Sequence, residues 1–262
     1  MTIAGGGLAG LSLAAGLRLH GVPATVHEAG SYPRHRVCGE FISGVEMRTL
    51  EALGIADLFS EALPRSSVAW FREGRCIHED RLPSPAMGIS RHRLDDLLMQ
   101  RVRELGGQVI EKSRRSREPG EGFVWAAGRI PAKSRWIGLK VHCRDLEMVA
   151  DLEMHLGTNG YAGLAGVEST PREGSEVPAD RKGEAESTLA SRTSGDACPY
   201  LDRRLSGHSR VNVCGLFRVD RALGGNGPGL LLNYLRAGGN MALADRIAAH
   251  AEADSFCAVA IE

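Results

Sequence analysis

Apolar and polar positions divide the chain into short apolar runs, amphipathic stretches and one long polar stretch. Thr2-Ile3-Ala4 is an apolar start that turns at once into Gly5-Gly6-Gly7-Leu8-Ala9-Gly10. Leu11, Leu13, Ala14, Ala15, Leu17 and Leu19 then recur at helical spacing as far as Gly21, and Pro23 confirms the break. Ala24-Thr25-Val26-His27-Glu28 reads as the next strand. Strand, glycine turn, helix, turn and strand within thirty residues predict a βαβ unit with parallel strands.

Further along, a basic loop runs from Ser31 to Ser43, and a helix is expected from Val45 to about Leu53, extending towards residue 60 through Leu58 and Phe59. Val68 to His78 alternates as a hairpin does. Arg91 to Leu105 is amphipathic, with Leu94, Leu97, Leu98, Val102 and Leu105 on one face and Ser90 as its N-cap. Gln108-Val109-Ile110 and Phe123-Val124-Trp125-Ala126-Ala127-Gly128 read as strands, the second running into a glycine turn. Residues 136–168 alternate like antiparallel strands with a turn near Gly157-Thr158-Asn159-Gly160. Ser169 to His208 is polar and is expected to be a disordered insert, because it cannot bury enough apolar surface to offset its ordering entropy. Val211 to Phe217 is a further strand, and a helix is expected from Leu230 to about Ala253, interrupted at Gly238-Gly239.

Composition narrows the partners. Thirty-two basic and 32 acidic residues cancel, so no global charge favours nucleic acid or an anionic membrane. A small-molecule partner is the expectation, with peripheral membrane contact left open and no integral membrane segment. The six cysteines have neither zinc-site nor disulfide-framework spacing, so we expect no metal, a cytoplasmic location, and thiols that mostly act as buried small hydrophobes. The oligomeric state is not legible.

The chemistry is concentrated in Gly5-x-Gly7-x-x-Gly10. The first glycine permits the tight turn, the second lets backbone approach a pyrophosphate, and the third allows close helix–strand packing. The helix N-terminus then offers its amides and positive dipole end to phosphates. Glu28, 18 residues beyond Gly10, can accept from ribose hydroxyls and would repel a 2′-phosphate. Residue chemistry alone leaves FAD and NAD open. Arg34 and Arg36 can reach a phosphate or a ring edge, or be a solvated basic loop. His35 reads as a surface residue, and Asp95 and Asp96 as a solvated helix face. No G-x-S-x-G or paired-carboxylate pattern identifies a catalytic acid or base.

Gly5 to Glu28, followed by Pro33-Arg34-His35-Arg36-Val37-Cys38-Gly39-Glu40, resembles the FAD-dependent oxidoreductases that include geranylgeranyl reductases, flavin-dependent halogenases and p-hydroxybenzoate hydroxylase-type monooxygenases. The resemblance continues through Ile89-Ser90-Arg91, Leu94-Asp95, Val124 to Arg129 with Gly128, Trp136 to Leu164, and Arg210 to Cys214. It implies FAD as cofactor, with the ADP end on Gly5, Gly7 and Gly10 and the ribose on Glu28. Arg36 and Arg91 would lie along FAD, and Cys38 and Gly39 would approach the isoalloxazine. A nicotinamide (NADH or NADPH) would be the electron donor for reduction, hydroxylation or halogenation of a small hydrophobic substrate.

The fold expected is therefore α/β. A Rossmann-like FAD-binding βαβ domain over 1–135 is joined to a mixed or antiparallel substrate-side sheet with a C-terminal helix, over 136–168 plus 209–262. Members of the group continue past the point corresponding to Ile261-Glu262 with a second flavin motif, so the resemblance implies a truncated member. A non-catalytic remnant and an NAD-dependent dehydrogenase are the competing readings.

Overall fold

In a computed structural model of the chain, residues 1–117, 120–128, 134–168 and 210–261 are described. The elements in chain order are β1 (Thr2–Ala4), α1 (Leu8–Leu19), β2 (Thr25–His27), β3 (Phe41–Ile42), α2 (Met47–Ala52), a 3-10 turn (Ala56–Phe59), β4 (Leu63–Arg72), β5 (Arg75–Gly88), α3 (Arg91–Glu104), β6 (Gln108–Ile110), β7 (Phe123–Trp125), β8 (Trp136–Arg144), β9 (Leu152–Gly157), β10 (Gly160–Val167), β11 (Arg210–Arg218), α4 (Pro228–Ala237), α5 (Met241–Ala248) and β12 (Ala251–Ile261).

The strands form two sheets. The smaller is parallel, in the order β6-β2-β1-β7. Its core is Ile3, Val26, Leu11, Ala14 and Ala15 packed against Leu94, Leu98 and Val102 of α3. The larger has eight strands in the order β12-β8-β11-β10-β9-β4-β5-β3. It is mixed, since β4 and β9 pair in parallel while the other neighbours are antiparallel. Leu139, Val141, Val211, Val213 and Leu164 on one face of this sheet pack on Leu231, Leu235, Leu243 and Ile247 of α4 and α5. The α/β architecture with a parallel βαβ unit and a second, mixed sheet is the one expected.

Several expectations are corrected. The helix expected from Val45 towards residue 60 is a short α2 and a separate 3-10 turn, because Gly54 (φ +67°) lies between them in a conformation that ends a helix. The hairpin expected at Val68 to His78 extends from Leu63 to Gly88, turning at Glu73-Gly74, where both φ values are positive. It belongs to the larger sheet, although its residues fall within the range expected for the dinucleotide unit, because β4 finds the open edge of β9. The expected C-terminal helix ends at Ala248. Gly239 (φ +88°) separates α4 from α5, and residues 251–261 pair as a strand with the edge of β8. Of the five described cysteines, only Cys143 is fully buried; burial pushes its thiol up to about 12. The expected insert lies outside the described residues, as does Arg129. No helix among the described residues is long and apolar enough to cross a membrane.

Candidate functional site

The turn from β1 into α1 has the three properties that its glycines suggest. Gly5 adopts φ +109°, and a Cβ there would lie 2.4 Å from the Ala126 carbonyl oxygen of the strand end leading to Gly128. A Cβ on Gly10 would lie 2.0 Å from the Gly5 carbonyl oxygen. At Gly7 the nearest atom is Arg91 Nη2 at 3.5 Å, so the space above this residue is open. No side chain caps the start of α1, which leaves its first-turn amides available to an anion. Gly6, an unspecified position in the motif, is equally constrained. A Cβ there would meet the Tyr32 hydroxyl at 1.9 Å, because that hydroxyl donates to the Gly6 carbonyl at 2.5 Å.

Glu28 closes the end of β2 and is buried. It accepts from the Gly6 and Gly30 amides at 2.9 and 2.8 Å, from Arg34 at 2.7 Å and from Arg36 at 3.3 Å. Burial pushes its carboxyl up, but the amides and the two guanidiniums outweigh this and bring it below the usual carboxylate range. Of these donors, Arg34 is the most free to move, with 35% of its side chain exposed.

Arg36 turns from Glu28 to Asp95, donating at 2.6 Å. Arg91 donates to the same carboxylate at 2.7 and 3.0 Å. Asp95 is fully buried, which corrects its reading as a solvated helix face. Helical spacing places it on the α3 side opposite solvent, where it anchors the two arginines. Burial lowers the Arg91 pKa, yet Asp95 more than restores it, so that it is raised overall. Arg91 also faces the Cys38 thiol. The structure thus brings Gly5, Gly7, Gly10, Glu28, Arg36, Cys38 and Arg91 into one continuous region. Gly39 and Gly128 (φ +72°) border open space, with nothing within 4 Å of a Cβ built on either.

Beyond Cys38 lies a second cluster. Glu40 adopts the left-handed φ of 54°, a strained conformation for a side-chain-bearing residue. It is held there by its carbonyl, which accepts from Ile89 N, and by its carboxylate, which accepts from the Arg91 amide at 3.0 Å at the start of α3. Lys140 Nζ lies 3.1 Å from that carboxylate and 3.1 Å from His35 Nδ1, and His142 Nε2 lies 2.6 Å from Glu40 Oε2. The side chains of Lys140, His142 and Glu40 are all 0% exposed. Burial pushes the Glu40 carboxyl up, and His142 and Lys140 pull it below its ordinary value. Alternation along β8 sets Lys140 and His142 on the face opposite Leu139 and Val141. The larger sheet in fact buries both faces, one under α4 and α5 and the other under the Arg34–Glu40 loop. That second layer has no local signal in the sequence.

His35, expected at the surface, stacks on His92 with ring centroids 4.5 Å apart and meets His142 edge-on at 4.9 Å. Burial, followed by Lys140 and the neighbouring His142 and His92 rings, lowers its pKa from 6.5 to about 4, against the opposing pull of Glu40. Between these values the unfolded chain binds a proton that the folded chain refuses. The contribution of His35 is therefore complete above 6.5 and is lost as pH falls towards 4. Glu28 and Glu40, with lowered pKa, add losses only below about 4.5. The melting temperature should fall between pH 6.5 and 4.5, and His35→Gln should reduce that slope, with His92, whose pKa burial also lowers, keeping part of it. A wild-type profile flat over the window would contradict the burial of this imidazole.

Together, a parallel βαβ unit, an open glycine turn at a helix N-terminus and a buried carboxylate at the end of the second strand define a dinucleotide-binding α/β protein. Residues 1–122 match the model of the FAD binding domain family, and FAD is the cofactor that this match supports. No curated protein sequence matches the chain. Among solved structures, the chain is similar to PqsL, a probable FAD-dependent monooxygenase from Pseudomonas aeruginosa (TM-score 0.61, 12% identity, 99% of this chain and 72% of that one). It is also similar to FqzB (TM-score 0.64, 14% identity, 100% and 64%) and to the flavin-dependent brominase Bmp2 (TM-score 0.64, 13% identity, 99% and 66%). At these identities the likeness is one of fold, and the chain spans about two thirds of the length of FqzB and Bmp2.

Proposed function

We propose that the protein is an FAD-dependent oxidoreductase of reductase or monooxygenase type that acts on a small hydrophobic organic substrate, with a reduced nicotinamide as electron donor. The observation that carries this reading is the open space at Gly7, walled by Arg91 and faced by uncapped helix amides. In this reading the amides of the turn and Arg91 hold the pyrophosphate. Glu28 receives the adenosine ribose when Arg34 swings aside, and Arg36 keeps the carboxylate oriented through its second bond to Asp95. The flavin, when bound, supplies the redox chemistry. The Cys38–Glu40 turn and the buried face of β8 and β11 would flank the ring and exclude water. PqsL and Bmp2, by name a monooxygenase and a brominase, share this fold, which favours oxygen-dependent chemistry.

The test is the absorbance spectrum of the purified protein, followed by FAD titration if it is colourless. Flavin bands or saturable FAD binding are expected. Failure to take up FAD would favour a non-catalytic remnant, and a larger rise in melting temperature with NAD than with FAD would favour a dehydrogenase. Gly7→Val separates site from fold. Gly7 has φ −93° and ψ −171°, open to any residue, and the nearest contact is an ordinary 3.5 Å. Stability should change by no more than about 1 kcal/mol, while FAD affinity falls about 100-fold, or about 2.7 kcal/mol. Unchanged FAD affinity would place the cofactor elsewhere.

A further inference from the structure

His142 and Asn212 are direct cross-strand neighbours on β8 and β11, on the sheet face opposite the Leu139–Val141–Val211–Val213 core. Both are fully buried. Each makes one side-chain bond to the same turn: His142 Nε2 to Glu40 Oε2 at 2.6 Å, and Asn212 Nδ2 to the Cys38 carbonyl at 2.9 Å. Their remaining polar atoms, His142 Nδ1 and Asn212 Oδ1, have no hydrogen-bond partner among the described residues. A buried polar atom without a partner is destabilising, because it has given up its water without replacement. Two side by side exceed what packing alone would select at positions where valine or leucine would fill the space.

The hydrogen-bond directions determine what the pair can do. The Glu40 carboxylate already draws Lys140 Nζ and the Arg91 amide, so it is an acceptor, and the imidazole hydrogen of neutral His142 sits on Nε2. Nδ1 is then a bare lone pair on a ring oriented by a carboxylate, the arrangement in which an imidazole can act as a general base. The backbone is equally fixed. The bulge in β12 between Glu252 and Cys257 places Ser255 Oγ to accept from His142 N at 2.7 Å. The neighbouring Asn212 Oδ1 is a second acceptor, and opposed cross-strand side chains lie about 5 Å apart.

We propose that His142 is a proton acceptor for the substrate, and that with Asn212 it forms a two-acceptor site for an O–H or N–H group on an aromatic or enolic substrate. This rests on the oxidoreductase reading given above. The proton leaves the substrate heteroatom for His142 Nδ1, the electron pair stays on the substrate, and the resulting imidazolium is paired with Glu40. An electron-rich anion of this kind is the form of such a ring most readily oxidised. Lys140 is a positioning residue that keeps Glu40 anionic.

The test uses protein labelled with 15N-histidine and loaded with FAD, loading being checked by flavin absorbance. 4-Nitrophenol serves as a one-hydroxyl probe whose phenolate has its own longer-wavelength band. His142 is expected as the neutral Nε2–H form with a bare Nδ1 that shifts on probe addition, and bound probe should be phenolate at about one pH unit below its solution pKa. His142→Gln should lower the bound phenolate fraction about 10-fold, and Asn212→Ala should weaken probe binding about 10-fold without changing the His142 tautomer. The proposal is overturned by a His142 that is doubly protonated throughout the neutral range, by equal phenolate fractions in wild type and His142→Gln, or by absence of saturable probe binding. A shift produced by FAD alone would also overturn it, assigning the pair to the flavin ring N–H. If no flavin is taken up, the oxidoreductase reading fails separately, and the tautomer of His142 is still read on the unloaded wild type. A bare Nδ1 there supports the base, and a permanent cation overturns it.

Discussion

Replacing Gly10 with alanine should destabilise the protein by roughly 3 kcal/mol or more, although alanine is the better helix former by about 1 kcal/mol. The added Cβ would lie 2.0 Å from the Gly5 carbonyl oxygen and 3.2 Å from Ile3 Cγ2. Neither obstacle can rotate away. Gly5 donates its own amide to the His27 carbonyl at 2.8 Å, and Ile3 is fully buried in the core of the smaller sheet. Helix α1 would therefore have to lift from β1 and lose contact with α3. Denaturant unfolding is the direct check, and a drop in melting temperature of about 6–12 °C is expected. Stability equal to wild type, or raised by the helix propensity of alanine, would mean that helix and strand are not this close. The contrast with Gly7→Val divides the motif physically: one glycine serves packing and the other leaves room for a ligand.

Asp95→Ala should cost about 2–3 kcal/mol, near the lower end of what breaking a buried ion pair costs. Asp95 is 0% exposed and accepts three hydrogen bonds from two guanidiniums. Its loss leaves Arg36 and Arg91 without their shared partner, and because their side chains are 23% and 13% exposed, water recovers part of the loss. The neighbouring Asp96, which among the described residues accepts from Gln100 alone, at the surface, is the control, and Asp96→Ala should change stability by less than about 0.5 kcal/mol. If the two variants unfold alike, the burial of Asp95 is wrong. FAD affinity should also fall in Asp95→Ala alone, since Arg91 would no longer be held beside Gly7.

Much of this was legible before any coordinates. Steric needs confined to a few residues wrote the glycine turn into the sequence, and helical periodicity marked α1 and α3. Ser90 was readable as a cap, and its hydroxyl does accept from the Arg93 amide at 3.1 Å. These features depend on neighbours within a turn or two. Glu28 followed from the βαβ spacing, but its four donors did not, because Arg34 and Arg36 come from a loop without periodicity.

What tertiary structure decided shares one cause. Alternation along a strand shows that its two faces differ, and not what covers each. Lys140, His142 and Asn212 alternate with Leu139, Val141 and Val213 as surface residues would. They are buried because the Arg34–Glu40 loop, about 100 residues or more away in sequence, lies over them. The same reason placed the β4–β5 hairpin on the edge of β9 and turned residues 251–261 into a strand on β8. Backbone edges attract partners regardless of side-chain pattern. The sequence by itself determined the glycine turn into α1 and the carboxylate at the end of β2. Only the packing of one layer on another decided which polar groups lost their water, and so which of them are available for chemistry.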